Sequence, residues 1–120
     1  MQLAPGLVIA VADPRVRPRN RVKWHICVCP ERRRFLRINS KPLWTPWHFI
    51  EVTKNPFLDH DSHVELTALH FFAESELRGA TIVGQMPQGE QVNLAYAAQN
   101  ADTLNEDEKD LIWERLGLGG

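Results

Sequence analysis

Runs of hydrophobic residues divide the first half of the chain into strands. Leu7–Ala12 (LVIAVA) is continuously apolar and ends at Asp13-Pro14, which predicts a strand buried on both faces. Val22–Cys29 (VKWHICVC) alternates instead. Its even-numbered residues are expected to face one side, and Lys23, His25, Cys27 and Cys29 the other. The two patterns predict two strands.

A tight turn with three consecutive arginines follows the alternating strand. Pro30–Arg33 (PERR) predicts the turn, and Arg34–Asn39 then returns with Leu36 and Ile38 facing inward. The expected product is an antiparallel hairpin with Lys23 and Arg37 on its open face.

The second half of the chain predicts shorter strands followed by helices. His48–Val52 indicates a short strand, and Ser62–Leu69 an alternating one with Val64 and Leu66 inward and His63 and Glu65 outward. Further expectations are a small strand over Ala80–Val83, a helix over Val92–Gln99 and a last helix that begins at a capping box (Thr103-x-x-Glu106 or Asn105-x-x-Glu108) and ends at Gly117. This order predicts one domain, residues 1–120, of the β-rich α+β class. Short sequential strands favour a small barrel or a strongly curled sheet.

Composition is that of an ordinary globular protein, with 43% hydrophobic and 24% charged residues. No apolar run approaches the roughly 18 residues of a membrane span, and the N-terminus lacks the positive region of a signal peptide. Cys27 and Cys29 are too close for an undistorted disulfide and too few for a zinc site. We therefore expect reduced thiols, a cytoplasmic location and no membrane partner.

Positive charge is concentrated in one stretch although the net charge is only -1. Nine of the 14 Lys and Arg residues lie between Arg15 and Ser40, with Glu31 as the single acid. Such a block attracts polyanions, which predicts a phosphate-binding face for RNA. The alternative is a solvated hairpin that arginine keeps soluble. The expected RNA contacts are Arg15, Arg17, Arg19, Arg32, Arg33, Arg34 and Arg37.

The densest polar cluster is DHDSH, residues 59–63. Neighbouring side chains of an extended segment point to opposite sides, so it supplies too few ligands for a metal ion, and we expect none. Two interpretations stay open. The cluster is a polar turn in which Asp59 or Asp61 accepts hydrogen bonds from backbone amides, or His60 and Asp61 act as an auxiliary acid or base.

The chemistry that the sequence favours is cleavage of RNA without a metal or cofactor. Nucleophile elbows and phosphate-binding glycine loops are missing from the sequence. RNA supplies its own 2′-hydroxyl as nucleophile, so the protein needs a base, an acid and a fixed cation. Arg21, Lys23 or Arg37 would be the cation; His25 would titrate near neutral pH, and Ser40 would offer a hydroxyl.

Trp44 and Trp47 flank Thr45-Pro46 in the segment KPLWTPW. Tryptophan is mostly buried, which favours a hydrophobic lid on the core. The alternative is a platform on which bases stack.

The order of elements resembles the PemK/MazF-like toxins of type II toxin–antitoxin systems. The similar features are the apolar strand Leu7–Ala12, the basic loop, the strand Val22–Cys29, the ending Ile38-Asn39-Ser40, the segment FLDHDSHVEL and the C-terminal TLNEDEKDLIWERLG. RNRVKW stands where that family has a glycine-rich loop and an R-P dipeptide.

The resemblance implies an SH3-like barrel, usually a homodimer, that cuts single-stranded RNA without metal and is bound by a cognate antitoxin. Arg21 or Lys23 would stand at the position of the family's catalytic arginine, and Ser40 at that of the serine or threonine ending its third strand. The expected catalytic set is therefore Arg21, Lys23, His25 and Ser40. The alternative is a non-catalytic module that binds nucleic acid, an antitoxin or another acidic partner on the same fold.

Overall fold

An antiparallel sheet forms the centre of the protein in a computed structural model that describes residues 1–16 and 21–118. Its strands are β1 (Leu7–Ala12), β2 (Val22–Cys29), β3 (Arg34–Asn39), β4 (Trp47–Ile50), β5 (Ser62–Glu65), β6 (His70–Phe71) and β7 (Thr81–Gln85). The helices are α1 (Glu74–Leu77), α2 (Gln88–Gln99) and α3 (Glu106–Ile112), and a π-helical segment (Trp113–Gly117) continues α3. The fold is thus β-rich α+β, as predicted.

The strands follow the order β4-β5-β3-β2-β1-β7, and β6 pairs with a separate part of β3. In the described residues β4 and β7 are the two ends of this path, so the sheet does not close on itself. The bounds of β1, β2 and β3 agree with the prediction, because long stretches of alternating or continuous apolar residues define them.

Two buried clusters lie on opposite faces of the sheet. The larger joins the strands to α2, α3 and the π-helical segment, and includes Val8, Ile26, Leu36, Leu94 and Leu116. The smaller lies on the other face and comprises Ile9, Val11, Cys27, Phe35 and Phe72. Neighbouring residues of β1 and β2 therefore belong to different clusters, which explains the continuous apolar sequence of β1.

Several predictions of the second half need correction. β4 begins one residue and ends two residues earlier than expected, and β5 ends at Glu65 rather than Leu69. Helix α2 begins at Gln88, four residues earlier than expected, directly after Pro87 at its N-cap. Strand β6 was not predicted. The last helix begins as expected at Asn105, whose side chain accepts from Glu108 N at 2.8 Å.

None of the helices in the described residues has the length and apolarity that crossing a bilayer requires.

Candidate functional site

Polar side chains replace apolar ones at one end of the sheet face that carries the smaller cluster. Successive side chains of a strand point to opposite faces, so Asp13, two residues after Val11, lies on the same face as Ile9 and Val11. His25 and Lys23 precede Cys27 by two and four residues, so they lie on this face as well. Strand β3 contributes Arg37, β5 contributes Glu65 and β6 contributes His70, and these residues line or underlie one cleft. We call it the polar cleft.

Arg37 is the most firmly held cation of the polar cleft. Its Nη2 donates to Asp13 Oδ2, and its Nε donates to His25 Nε2 at 3.2 Å. Asp13 is fully buried and also accepts from Arg15 N and Nε, at 2.9 and 2.8 Å. Burial alone would raise the pKa of Asp13, but the hydrogen bonds from Arg15 and the charges of Arg15 and Arg37 hold it below its ordinary value. Asp13 is therefore a carboxylate that fixes Arg37 in position.

His25 is a buried, neutral member of this network. Its Nδ1 donates to Lys23 O at 3.2 Å while Nε2 accepts from Arg37, an arrangement that assigns the ring proton to Nδ1. Burial, the charge of Arg37 and the neighbouring His70 lower the pKa of His25 to about 3. Since both ring nitrogens are engaged, His25 does not titrate near neutral pH as the sequence suggested. It holds Arg37 in place.

Glu65 lies on the floor of the polar cleft and is only 3% exposed. Its Oε1 accepts from Asn39 Nδ2 at 3.0 Å, and its Oε2 lies 3.6 Å from His70 Nε2. Burial would raise the pKa of Glu65, but the contacts with His70 and Asn39 and the charge of Arg37 outweigh it, so the net shift is downward. The expectation that Glu65 faces outward is therefore wrong.

Lys23 reaches the same group of residues from β2. Its Nζ lies 3.4 Å from Asn39 Oδ1. Burial lowers the pKa of Lys23, and the positive charges of Arg21 and Arg37 lower it further. An ammonium in this position releases a proton more readily than one in water.

The polar cleft has a volume of about 580 Å³ and is open to solvent. Arg15, Arg21, Lys23 and Arg37 contribute positive charge to its lining, and Leu43 and Trp44 provide an apolar wall. Trp44 is 61% exposed, so it is not a lid on the core. Trp47 is exposed less and packs edge-on against His63 outside the cleft, with ring centroids 4.8 Å apart.

A second cleft of about 220 Å³ lies on the opposite side of Arg21 and Lys23, which line both. Ser40 and His60 are in this second cleft and are exposed, so neither belongs to the polar cleft. Asp61 Oδ1 accepts from Val52 N at 2.9 Å, as expected for a polar turn before β5.

The hairpin arginines are not among the residues that line the polar cleft. Arg34 is only three residues from Arg37 along β3, but the alternation of the strand places their side chains on opposite faces of the sheet. Arg32 and Arg34 line a separate depression with Asp107 and Glu108, and Arg33 donates to Phe72 O at 3.1 Å. The expected single basic face is therefore divided between the two ends of the hairpin.

The structure thus brings together Arg15, Arg21, Lys23, His25 and Arg37 of the predicted site residues, and leaves Ser40, His60, Asp61 and the hairpin arginines outside. Arg17 and Arg19 lie outside the described residues. Sequence reasoning missed Asp13, Asn39, Glu65 and His70. Alternation carried one step past β1 would have placed Asp13 on this face, and Glu65 lies within β5 itself, but nothing local marks the two-residue strand that holds His70.

No protein-family model matches the chain, and no curated protein sequence matches it either.

Proposed function

We propose that the protein is a metal-independent endoribonuclease that cleaves single-stranded RNA in the polar cleft by attack of the 2′-hydroxyl. The observation that carries this proposal is the convergence of four cations, an exposed indole and an imidazole paired with a buried carboxylate around one open cleft. A phosphodiester offers negative charge to the cations and a flanking base to the indole.

Arg37 is suited to stabilise charge that develops at phosphorus. Asp13 and His25 orient its guanidinium before any substrate binds, so little reorganisation accompanies the reaction. The Arg37 side chain is 13% exposed, and the cleft gives substrate access to it. Because the nucleophile belongs to the RNA, the protein's tasks are to bind phosphate, stabilise charge and transfer protons.

Trp44 is suited to stack on a base next to the phosphate. Replacing Trp44 by Ala should weaken binding of a single-stranded oligoribonucleotide by about 10-fold, since base–aromatic stacking contributes about 1–3 kcal/mol. The exposed position of Trp44 means that the urea unfolding midpoint should not change. Tyr96→Ala is the matched control, because Tyr96 is equally exposed but packs on Trp113 away from the cleft.

The fold that we propose for this activity is an SH3-like barrel of the PemK/MazF type. The sequential antiparallel pairing of β1, β2 and β3 supports it. The same proposal includes a homodimer and a cognate antitoxin that competes with RNA.

The test is incubation of the purified protein with a mixed RNA transcript in EDTA, followed by mass spectrometry of the fragment ends. Cleavage by the 2′-hydroxyl leaves 2′,3′-cyclic phosphate and 5′-hydroxyl ends. Lys23→Ala and Arg21→Ala should lower turnover, by about 100-fold for a group that takes part in proton transfer. Arg32→Ala is the control, because Arg32 lies at the other end of the hairpin. Intact RNA at high protein excess would refute the proposal.

A second candidate is a non-catalytic module that binds RNA or an acidic peptide. Leu43 and Trp44 beside the cations favour it, because an acidic peptide with an apolar side chain would find both kinds of contact. RNA binding that weakens steeply with salt, without any cleavage, would support this candidate over the nuclease.

A further inference from the structure

His70 and Glu65 form a carboxylate–imidazole pair at the floor of the polar cleft. Glu65 Oε2 lies 3.6 Å from His70 Nε2, and this nitrogen is buried without a hydrogen-bond partner within normal distance. Glu65 is itself fixed from the other side by Asn39 Nδ2. The His70 side chain retains 19% exposure, and its ring lines the cleft. The carboxylate is held rigidly, while the imidazole has access to a ligand.

We propose that His70 is the general base of the polar cleft and that Glu65 is its positioning residue. The inference rests on the ribonuclease activity proposed above and assigns the proton transfers that the activity requires. A carboxylate that faces Nε2 keeps the proton on that nitrogen and leaves Nδ1 to accept another, and it stabilises the imidazolium that forms.

The alternative histidine of this region cannot take the role. The rings of His25 and His70 are edge to face with centroids 6.0 Å apart, but His25 has both nitrogens engaged and no exposed surface. The titratable groups in contact with His70 are Glu65 from β5 and His25 from β2, and Arg15, Arg21, Lys23 and Arg37 line the same cleft. Glu65 is the acid among them.

The step balances with Lys23 as the acid. His70 takes the proton of the 2′-hydroxyl while O2′ forms a bond to phosphorus. The bond between phosphorus and the 5′-oxygen breaks, and that oxygen takes a proton from the Lys23 ammonium. The products are a 2′,3′-cyclic phosphate and a 5′-hydroxyl, and exchange with water then restores both side chains. The lowered pKa of Lys23 favours this donation.

The experiment measures kcat, KM and the pH–rate profile on a short single-stranded oligoribonucleotide. His70→Asn should lower kcat by about 100-fold or more with little change in KM. His70→Ala should be equally slow and should regain activity with added imidazole, because the vacated position opens to the cleft. Glu65→Gln keeps the hydrogen bond from Asn39, and it should lower kcat and move the acidic limb of the profile to lower pH.

His63→Asn is the matched control, because His63 packs between Trp47 and Phe49 outside the cleft. Urea unfolding midpoints verify that each variant folds. If a His70 variant does not fold, Glu65→Gln still tests the pair. If the wild type is active and the His70 variants keep their kcat, this assignment is wrong. It is also wrong if those variants lose kcat, imidazole does not rescue His70→Ala and the pH–rate profile of Glu65→Gln does not move. Either result leaves the ribonuclease proposal intact. A wild type that cleaves no RNA would overturn both.

Discussion

His25 gives the folded protein a specific sensitivity to acid. The residue is fully buried, and its pKa in the fold is about 3, against about 6.5 in an unfolded chain. Between these two pH values the unfolded chain binds a proton that the folded protein does not bind. The free energy of unfolding therefore falls as pH falls through this window.

The magnitude follows from the size of the shift. One pKa unit corresponds to about 1.4 kcal/mol, so between pH 7 and pH 5 His25 should remove about 2 kcal/mol of stability. The loss should continue until pH approaches 3. A domain of this size has a total stability of about 5–15 kcal/mol, so the effect is large enough to measure.

Replacing His25 by Gln isolates this contribution. The Gln amide is able to donate to Lys23 O and accept from Arg37 Nε, so the variant avoids an unpaired polar group. Urea unfolding at pH 7, 6 and 5 gives the free energy of unfolding for each protein. The difference between wild type and His25→Gln should change by about 2 kcal/mol between pH 7 and pH 5.

His60→Gln is the control for this measurement, because His60 is an exposed histidine in the turn before β5. Its stability should follow the wild-type pH dependence. If wild type and His25→Gln lost stability in parallel over this range, His25 would be protonated in the fold, and its role as a neutral acceptor for Arg37 would be wrong.

Two further predictions concern other buried groups. Asp13→Asn should destabilise the protein by about 3 kcal/mol, since breaking a buried pair leaves the Arg37 charge uncompensated. Urea unfolding measures this loss, and Asp59→Asn is the control because Asp59 is exposed. A loss below about 1 kcal/mol would contradict the burial argument. Burial raises the pKa of the Cys27 thiol to about 12, so it should react with a thiol reagent at neutral pH only after unfolding. Mass spectrometry maps the labelled residue, and rapid labelling of Cys27 in the native protein would show that the strand opens.

The central strands could be predicted from sequence because their signals are local. A continuous apolar run marks β1, strict alternation marks β2, and the arginine-rich turn sets the position of β3. The capping box at Asn105 likewise marks the start of α3 with groups only three residues apart. The short strands were harder to place, because β6 has two residues and exists only through its pairing with β3.

The candidate site was predicted in part for the same reason. Lys23, His25 and Arg37 were placed on one face by alternation, but alternation does not reveal what covers that face. Burial of His25 depends on Phe72, whose ring lies 4.9 Å away and which belongs to a segment 47 residues later. Proximity to a distant segment, and not residue type, determines whether such a histidine is charged.

By itself, the sequence determined which side chains share a face of the sheet and which strands carry the cationic residues, because both follow from neighbours along the chain. Only the tertiary structure decided that Asp13, Glu65 and His70 join those cations in one cleft while the hairpin arginines and Ser40 lie elsewhere. The physical reason is that burial and ionisation depend on contacts between segments far apart in sequence, which no local pattern records.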